Sequence, residues 1–361
     1  MEKYRVGIVG ATGMVGQRFI SLLKDHPWFE VNCVAASARS AGKTYRESVW
    51  ECGSFSWVRP EKVAGMTVGD AAYIDEVSKH VDFVFCAVDM KKDEIRALEE
   101  AYAKHEIPVV SNNSACRGIE DVPMVVPEIN ADHLAVIEAQ KKRLGTKNGF
   151  IAVKPNCSIQ SYVPALTPLL DFEPEKVSVC TYQAISGAGK TFKTWPEMVD
   201  NVIPYIGGED EKSENEPLKL WGHVEDGKIV NATLPVISAQ CLRVACSDGH
   251  MAAVSVSFKK KPTIEQIKER WANYETEAQR LELPSAPKPF LQYFEDPSRP
   301  QTRLDRDFQN GFGVSIGRLR EDKLFDYRFV CLSHNTVRGA AGGGILTAEL
   351  LCRKGYIPHR V

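Results

Sequence analysis

A cysteine that follows proline and asparagine is the residue of this 361-residue chain best suited to covalent chemistry. Cys157 comes directly after Pro155 and Asn156, and a strand-like apolar run precedes them at residues 150–154. If a helix begins here, its N-terminus would stabilise a thiolate. The turn could also offer backbone N–H groups, with the Asn156 amide, to a developing oxyanion. A lone cysteine is more often part of a core, so a nucleophile needs a partner base.

Residues 241–250 contain a candidate base and a candidate anion ligand. Arg243 and His250 flank a turn that contains Gly249. A guanidinium can hold a carboxylate with two parallel hydrogen bonds, and an imidazole titrates near neutrality and can move a proton. Cys241, Cys246 and His250 could instead be zinc ligands, but the segment lacks an evident fourth ligand, so we expect no metal site.

A glycine turn near the N-terminus is typical of a dinucleotide site. Glycines recur every third residue over residues 10–16, after a strand-like run at residues 5–9 and before a helical pattern at residues 17–24. Such a turn lets the backbone approach a pyrophosphate at the helix N-terminus. The alternative is a tight glycine turn without a ligand. The predicted cofactor-binding residues of the turn are Gly10, Thr12, Gly13, Met14 and Val15.

The residues after the second predicted strand favour NADP over NAD. An NAD site usually has an acidic residue at this point, which accepts a hydrogen bond from the ribose 2′-hydroxyl. This chain has Ser37, Arg39 and Ser40 there and no acid between residues 36 and 43. Hydroxyls and a guanidinium suit a 2′-phosphate. The alternative is a polar surface loop.

The elements that must position these residues alternate in the first half of the chain. Strand-like runs occur at residues 5–9, 31–36, 81–88 and 107–111, and helical patterns lie between them. This order predicts βαβ units and a parallel sheet of the Rossmann type. Residues 46–65, rich in Trp, Pro and charge, are expected to leave the sheet.

The second half has a different pattern. Strand candidates at residues 177–183, 251–258 and 324–332 are widely spaced, which predicts a mixed or antiparallel sheet with helices on one face. We interpret the acidic residues 207–216 as a solvated loop that leads into a helix. Residues 339–351 begin with small residues and end in an apolar helix. The overall prediction is an α/β protein with a second, α+β domain.

Composition excludes several classes of protein. The 45 basic and 47 acidic residues leave a net charge of −2, so no global charge favours nucleic acid or an anionic membrane. No stretch approaches the roughly 18 apolar residues of a membrane helix, and the N-terminus lacks the apolar region of a signal peptide. Ten cysteines without a Cys-x-x-Cys pair indicate reduced thiols in a cytoplasmic protein.

The motifs, taken in order, resemble those of the aspartate-semialdehyde dehydrogenase family, in particular its archaeal and fungal branch. Pro at position 155 separates the chain from the bacterial branch, which has Gly there. The motifs that carry the resemblance are the glycine turn, residues 111–117, residues 155–158, Gln183 with residues 186–189, Glu216-x-x-Lys219, Arg243 with His250, and residues 335–339.

The resemblance implies a fold and an assembly. Residues 1–156 and 336–361 would form the NADP-binding Rossmann-type domain, to which the C-terminal helix returns. Residues 157–335 would form the catalytic and dimerisation domain of a homodimer or homotetramer.

The resemblance also implies a role for each site residue. Cys157 would be the nucleophile, assisted by Asn156, and His250 the acid and base. Gln183 would orient the substrate, Glu216 would bind its amino group and Arg243 its α-carboxylate. The remaining assignments are Arg117 and Lys219 for phosphate, and Ser186, Gly187 and Asn335 for the cofactor.

The implied reaction is the reductive dephosphorylation of 4-phospho-L-aspartate to L-aspartate 4-semialdehyde through a cysteine thioester, in the biosynthesis of lysine, threonine, methionine and isoleucine. Three alternatives remain: an acyl-CoA reductase such as malonyl-CoA reductase, N-acetyl-glutamyl-phosphate reductase, and a non-catalytic NADP-binding protein. Glu216 argues against malonyl-CoA, which has no amino group to bind. The intact set of Cys157, Gln183, Arg243 and His250 argues against a non-catalytic protein.

Overall fold

The computed structural model describes residues 2–49 and 60–360. The predicted excursion at residues 46–65 therefore falls partly outside the described residues. Two large sheets organise the described part of the chain, and two further strands form a separate short hairpin. No helix within these ranges is long and apolar enough to cross a membrane.

The first sheet has six parallel strands in the order β3-β2-β1-β4-β5-β6. This is the doubly wound order, in which the crevice beyond the carboxyl ends of β1 and β4 receives a dinucleotide. The parallel Rossmann-type sheet is confirmed. Its strands are β1 (Tyr4–Val9), β2 (Phe29–Ala36), β3 (Gly69–Asp70), β4 (Phe83–Cys86), β5 (Val109–Ser111) and β6 (Ile151–Val153). Its helices are α1 (Met14–Leu22), α2 (Tyr45–Ser48), α3 (Glu61–Ala64), α4 (Ile74–Ser78), α5 (Lys92–Lys104) and α6 (Ile137–Leu144).

The second sheet is mixed, as predicted, with seven strands in the order β13-β14-β15-β12-β7-β11-β8. Its strands and the β9–β10 hairpin are β7 (Pro174–Gln183), β8 (Val202–Ile203), β9 (His223–Glu225), β10 (Lys228–Val230), β11 (Val236–Val244), β12 (His250–Phe258), β13 (Leu291–Phe294), β14 (Val314–Glu321) and β15 (Tyr327–Ser333). The remaining helices are α7 (Ile159–Leu166), α8 (Glu209–Leu220), α9 (Ile264–Ala272), α10 (Glu277–Arg280), α11 (Thr302–Asp305) and the C-terminal helix α12 (Gly342–Arg353).

The central strands of the second sheet bury one face and expose the other. Along β7, Val177 and Val179 are buried, whereas Ser178 and Tyr182 are exposed. β12 alternates in the same way, and its partly exposed residues pair with those of β7. The period of two follows from strand geometry, in which successive side chains point to opposite faces.

The C-terminal helix packs on the first sheet. Ile345 and Leu346 of α12 belong to the same buried cluster as Ile8 and Phe19. A Cβ atom on Gly344 would lie 2.9 Å from the Phe19 ring, so the close approach of α12 requires glycine there. The predicted return of the final helix to the first domain is confirmed.

The expectation of a solvated loop at residues 207–216 is wrong. Helix α8 already begins at Glu209, after Gly208 in the left-handed conformation at φ 70°. Three acidic residues occupy its first turn, where the helix dipole stabilises negative charge. Glu209 and Ser213 are buried, so this acidic stretch has an inward face that its composition conceals.

Candidate active site

Cys157 lies in the turn between β6 and α7, with its Sγ 3.4 Å from Nε2 of His250. Helix α7 begins at Ile159, so the helix expected after the cysteine is present. Gly339 covers the cysteine so closely that an added Cβ would lie 3.0 Å from Cys157 Cβ. The structure thus brings together the predicted nucleophile and base, which are 93 residues apart in the chain.

His250 is fully buried at the start of β12. Its Nδ1 accepts a hydrogen bond from the Ala184 backbone N–H at 3.1 Å. Burial, together with the nearby charges of Arg243 and Lys154, lowers the pKa of His250 to about 3. The ring is therefore neutral at physiological pH and carries its proton on Nε2, which faces the sulfur.

Opposing charges act on the thiol of Cys157. Burial raises its pKa above the ordinary value, and the negative charge of Glu209 raises it further. The positive charges of Lys154, Arg243 and Arg117 act in the opposite direction but do not cancel this rise. The thiol of the ligand-free protein is consequently protonated near neutrality.

Glu209 joins two of the predicted site residues and was missed in the sequence. Its carboxylate accepts from the Asn156 side-chain amide at 3.0 Å and from the Gln183 amide at 3.2 Å, and it pairs with Lys212 at 2.8 Å. The Asn156 amide is therefore bonded to Glu209 and not directed at an oxyanion. The acidic composition around Glu209 suggested solvent exposure; the preceding pair of glycines was the available signal for a helix start.

Two residues that the resemblance assigned to the substrate bind each other. Arg117 and Glu216 form an ion pair at 2.9 Å, and both are nearly buried. Glu216 also accepts the Asn156 backbone N–H at 2.5 Å. A substrate with an amino group and a phosphate offers each of them a replacement partner of the same charge.

Lys219 is bonded to backbone in the structure. Its ammonium donates to the carbonyl oxygens of Arg117 at 2.7 Å, Ile119 at 2.7 Å and Val122 at 3.0 Å. An ammonium has three donors, so all of them are in use. A bond from Lys219 to phosphate would require one of these bonds to break.

Arg243 ends β11 opposite Gln183 of β7. Its side chain is buried, and Nη1 donates to the Ala184 carbonyl at 2.7 Å. Gly187 lies against it: an added Cβ would be 2.8 Å from Arg243 Nη1 and 3.0 Å from the His250 ring. Any side chain at position 187 would displace these two groups.

A cavity of about 290 Å³ connects Cys157 with the start of α1. In its lining, the Asn335 amide donates to Ser186 Oγ and accepts from the Gly249 N–H, both at 2.8 Å. Six polar residues outside the predicted set also line it: Asn112, Ser114, Lys154, Glu209, Lys212 and Thr336. The predicted residues that line the cavity are Met14, Val15, Arg117, Asn156, Cys157, Ser186, Gly187 and Asn335.

The glycine turn fits a dinucleotide. Gly10 has φ 90°, and a Cβ there would lie 2.3 Å from the Ala87 carbonyl oxygen. Gly16 is equally constrained, since its Cβ would lie 2.2 Å from the Gly10 oxygen. Gly13 precedes α1 without a side-chain cap bond from any described residue, which leaves the first-turn N–H groups for a ligand.

The loop after β2 fits a 2′-phosphate but does not line the cavity. Ser37 and Arg39 are exposed and Ser40 is partly exposed, directly beyond the strand that pairs with β1. The residues predicted to contact the 2′-phosphate are thus separate from those that line the cavity beside Cys157. Thr12 also lies outside the cavity lining; its carbonyl accepts from the Gln17 side chain at 3.0 Å.

The cysteines proposed as alternative zinc ligands, Cys241 and Cys246, contact other groups in the structure. Cys241 Sγ lies 3.4 Å from Ser213 Oγ, and Cys246 Sγ donates to the Asp248 carbonyl at 3.2 Å. In the part of the chain that the structure describes, no group of three or more His, Cys, Asp or Glu residues could hold a metal ion.

The similarity to known proteins extends over nearly the whole chain. Residues 5–137 match the family model described as "Semialdehyde dehydrogenase, NAD binding domain", and residues 166–338 match "Semialdehyde dehydrogenase, dimerisation domain". The aspartate-semialdehyde dehydrogenase of Archaeoglobus fulgidus is 42% identical over 98% of this chain and 100% of its own length. That of Schizosaccharomyces pombe is 44% identical over 98% and 99%.

A solved relative has the same fold. The crystal structure of aspartate-semialdehyde dehydrogenase with NADP from Candida albicans has a TM-score of 0.88 at 38% identity. It covers 99% of this chain and 100% of that chain.

Proposed function

The chain belongs to the aspartate-semialdehyde dehydrogenase family, and we propose that Cys157 and His250 carry out the reaction of that family in it. The protein is an NADP-dependent oxidoreductase that converts 4-phospho-L-aspartate to L-aspartate 4-semialdehyde. The observation that supports the two residues most strongly is the contact of 3.4 Å between Cys157 Sγ and the neutral, buried His250, beside a cavity that reaches the glycine turn.

The first half of the reaction is an acyl transfer. The thiolate of Cys157 attacks the acyl carbon of 4-phospho-L-aspartate, the bond from that carbon to the phosphate oxygen breaks, and a thioester forms. Because His250 accepts at Nδ1, it donates from Nε2, which stabilises the thiolate before attack and the oxyanion during it. His250 would thereby act as the acid of the reaction. Because its Nε2 already carries a proton, the proton of the Cys157 thiol would leave to solvent before the attack.

The second half reduces the thioester. NADPH, when bound, would supply the hydride to the thioester carbon. The carbon–sulfur bond would then break, which releases the aldehyde and returns the Cys157 thiolate; the reverse direction consumes NADP and phosphate. The first turn of α1 would hold the pyrophosphate through Gly13, Met14 and Val15, and Arg39 with Ser37 and Ser40 would hold the 2′-phosphate. Ser186, Gly187 and Asn335 would contact the nicotinamide end, which their position around the cavity supports.

Substrate binding combines four side chains. Arg243 would hold the α-carboxylate in two parallel hydrogen bonds. Glu216 would give up its ion pair with Arg117 and bind the amino group of the substrate instead. Arg117 would then be free for phosphate. Lys219 acts on this site by holding the backbone of Arg117, which its bond to the Arg117 carbonyl supports.

We also propose the domain division and the assembly. Residues 1–156 and 336–361 form one domain and residues 157–335 the other, a division that α12 supports by packing on the first sheet. The exposed face of β7 and β12, formed by Lys176, Ser178, Cys180, Tyr182, Met251, Ala253, Ser255 and Ser257, is the interface of a homodimer, or of dimers within a homotetramer. A dimerisation domain spans this sheet.

A cytoplasmic location completes the proposal. The nine described cysteines are all free thiols, a state that a reducing compartment maintains.

The test is phosphate-dependent reduction of NADP by L-aspartate 4-semialdehyde, with malonyl-CoA plus NADPH as the competing reaction. We expect turnover with the semialdehyde and none with malonyl-CoA; the opposite result would make the protein an acyl-CoA reductase.

The rate of the Cys157→Ala variant should fall below about one hundredth of the wild-type rate, because covalent catalysis is lost. It should still bind NADP. Cys33→Ala, which removes a thiol on β2, is the matched control and should retain the rate.

A further inference from the structure

Lys154 is a buried cation without an acidic partner. Its side chain is 3% exposed, directly after β6. Among the described residues, the acceptor for its ammonium is the carbonyl of Pro155, and no carboxylate lies within ion-pair distance. Burying an unpaired charge is costly, so such a group either loses its proton or receives an anion.

The surroundings of Lys154 allow both the protonated and the neutral form of its side chain. Burial lowers its pKa to about 7, and the charge of Arg117 acts in the same direction. The Cys157 thiolate and Glu216 act in the opposite direction, and Arg338 adds a weaker positive charge. A dianion in the cavity would favour the protonated ammonium and thereby bind more tightly.

Two further polar groups of the same cavity lack partners. Neither the oxygen nor the nitrogen of the Asn112 amide has a hydrogen-bond partner among the described residues, although both atoms are shielded from solvent. Nε of Arg117 is likewise shielded from solvent and has no hydrogen-bond partner among the described residues. Asn112, Arg117 and Lys154 all line the cavity beside Cys157. Unsatisfied buried donors of this kind mark a place where a ligand completes the hydrogen bonding.

Lys219, the lysine first expected to bind phosphate, has no free donor. Its three bonds to backbone carbonyls satisfy the ammonium completely. Lys154 has donors to spare and lies in the cavity lining, whereas Lys219 does not.

We propose that Lys154, together with Asn112 and Arg117, binds the phosphate group of the substrate and, in the reverse direction, inorganic phosphate. The inference rests on the proposed function and adds a residue to it. The ammonium neutralises charge on the phosphate as the bond from the acyl carbon to the phosphate oxygen breaks and the thioester forms.

The test replaces Lys154 by Met, which keeps the length of the chain and removes the charge. The KM for inorganic phosphate in the NADP-reducing direction should rise on the order of 10- to 100-fold, the value of a charge-assisted hydrogen bond. The KM for NADP should change less than about threefold, because backbone N–H groups of the first turn of α1 would hold the pyrophosphate. In the cofactor-free protein, inorganic phosphate should raise the melting temperature of the wild type and not that of Lys154→Met.

Two variants serve as references. Lys154→Arg keeps the charge and should retain part of the phosphate affinity. Lys212→Met removes a cavity lysine that is already paired with Glu209, and should leave the phosphate-induced rise in melting temperature intact. Without phosphate, Lys154→Met should melt no lower than the wild type, since it removes a buried unpaired charge.

An unchanged phosphate KM in Lys154→Met would overturn the proposal, and so would a phosphate-induced rise in melting temperature equal to that of the wild type. If Lys154→Met does not fold, the same comparison is made with Lys154→Gln. Failure of the proposed function looks different: the wild-type protein itself would then show no phosphate-dependent reduction of NADP by the semialdehyde.

Discussion

The reactivity of Cys157 depends on a balance of charges around one sulfur atom. Burial and Glu209 disfavour the thiolate, and three nearby cations favour it. The neutral His250 contributes a hydrogen bond and no charge. The net result is a Cys157 thiol whose pKa lies above the ordinary value, so that the protonated form is favoured near neutrality.

This balance predicts how alkylation of Cys157 varies with pH. Because the thiol pKa is raised, the rate with iodoacetamide should keep increasing with pH through a midpoint above the ordinary value of about 8.5. The pKa of His250 near 3 means that no imidazole step should appear between about pH 5 and 8. Cys157→Ala provides the background from the other cysteines. A midpoint below that of a free cysteine would contradict this electrostatic account.

Arg243 acts through geometry as well as charge. Arg243→Lys keeps a cation that can replace the single bond to the Ala184 carbonyl, but it cannot form two parallel bonds with a carboxylate. Misplacing the acyl carbon by about 1 Å costs on the order of 100-fold, so kcat/KM for the semialdehyde should fall by that order. Saturation curves for the variant and the wild type measure this loss. Equal values would reduce Arg243 to a distant charge.

At the scale of secondary-structure elements, the first turn of α8 controls the site. Glu209 enters the site from this turn and holds the side-chain amides of Asn156 and Gln183, which belong to two other elements. One acidic residue at a helix start thus orients the turn before α7 and the end of β7 together.

Glu209→Gln tests this role through two measurements: the reactivity of the Cys157 thiol should increase, whereas kcat should decrease. Loss of the negative charge should move the alkylation midpoint of Cys157 to lower pH, because Glu209 raises that pKa. At the same time kcat should fall about tenfold, since the two amides lose a charged acceptor. Glu211→Gln removes an exposed acid from the same first turn and controls for the helix dipole. An unchanged midpoint would show that Glu209 does not act on the thiol.

At the scale of the whole molecule, the second sheet connects catalysis with assembly. Its buried face and strand ends carry Gln183, Arg243 and His250, and its other face is open. Ser178, Ala253 and Ser255 place small side chains at the centre of that face, which allows another sheet to pack closely.

Tyr182→Glu tests the interface. Tyr182 is 37% exposed and pairs with Met251 at the open face. Two like charges brought together at a dimer axis repel and lose solvation, so the variant should sediment as a smaller species. Tyr73→Glu alters a tyrosine of the first domain that is 70% exposed and should leave the sedimentation coefficient unchanged. A Tyr182→Glu dimer as stable as the wild type would place the interface elsewhere.

The sequence pattern predicted the structure correctly where residues adjacent in the chain determine it. The apolar run at residues 31–36 became the core of β2, and the alternation at residues 251–258 became β12. The turn around Cys157 was recognisable because the helix, the proline and the cysteine are adjacent. Residues 207–216 were interpreted as a loop because composition records how polar a segment is and not which of its residues face inward.

The sequence by itself determined the two-domain α/β architecture, the family and the cofactor, and it predicted the nucleophile and its base. Tertiary structure decided how the charged residues are used. Glu209 faces the site, Lys219 is bonded to a loop 102 residues away, and Lys154 is buried beside Cys157 without an acidic partner. The reason is physical: a motif specifies residue types, whereas burial and hydrogen-bond partners depend on segments that only folding brings together.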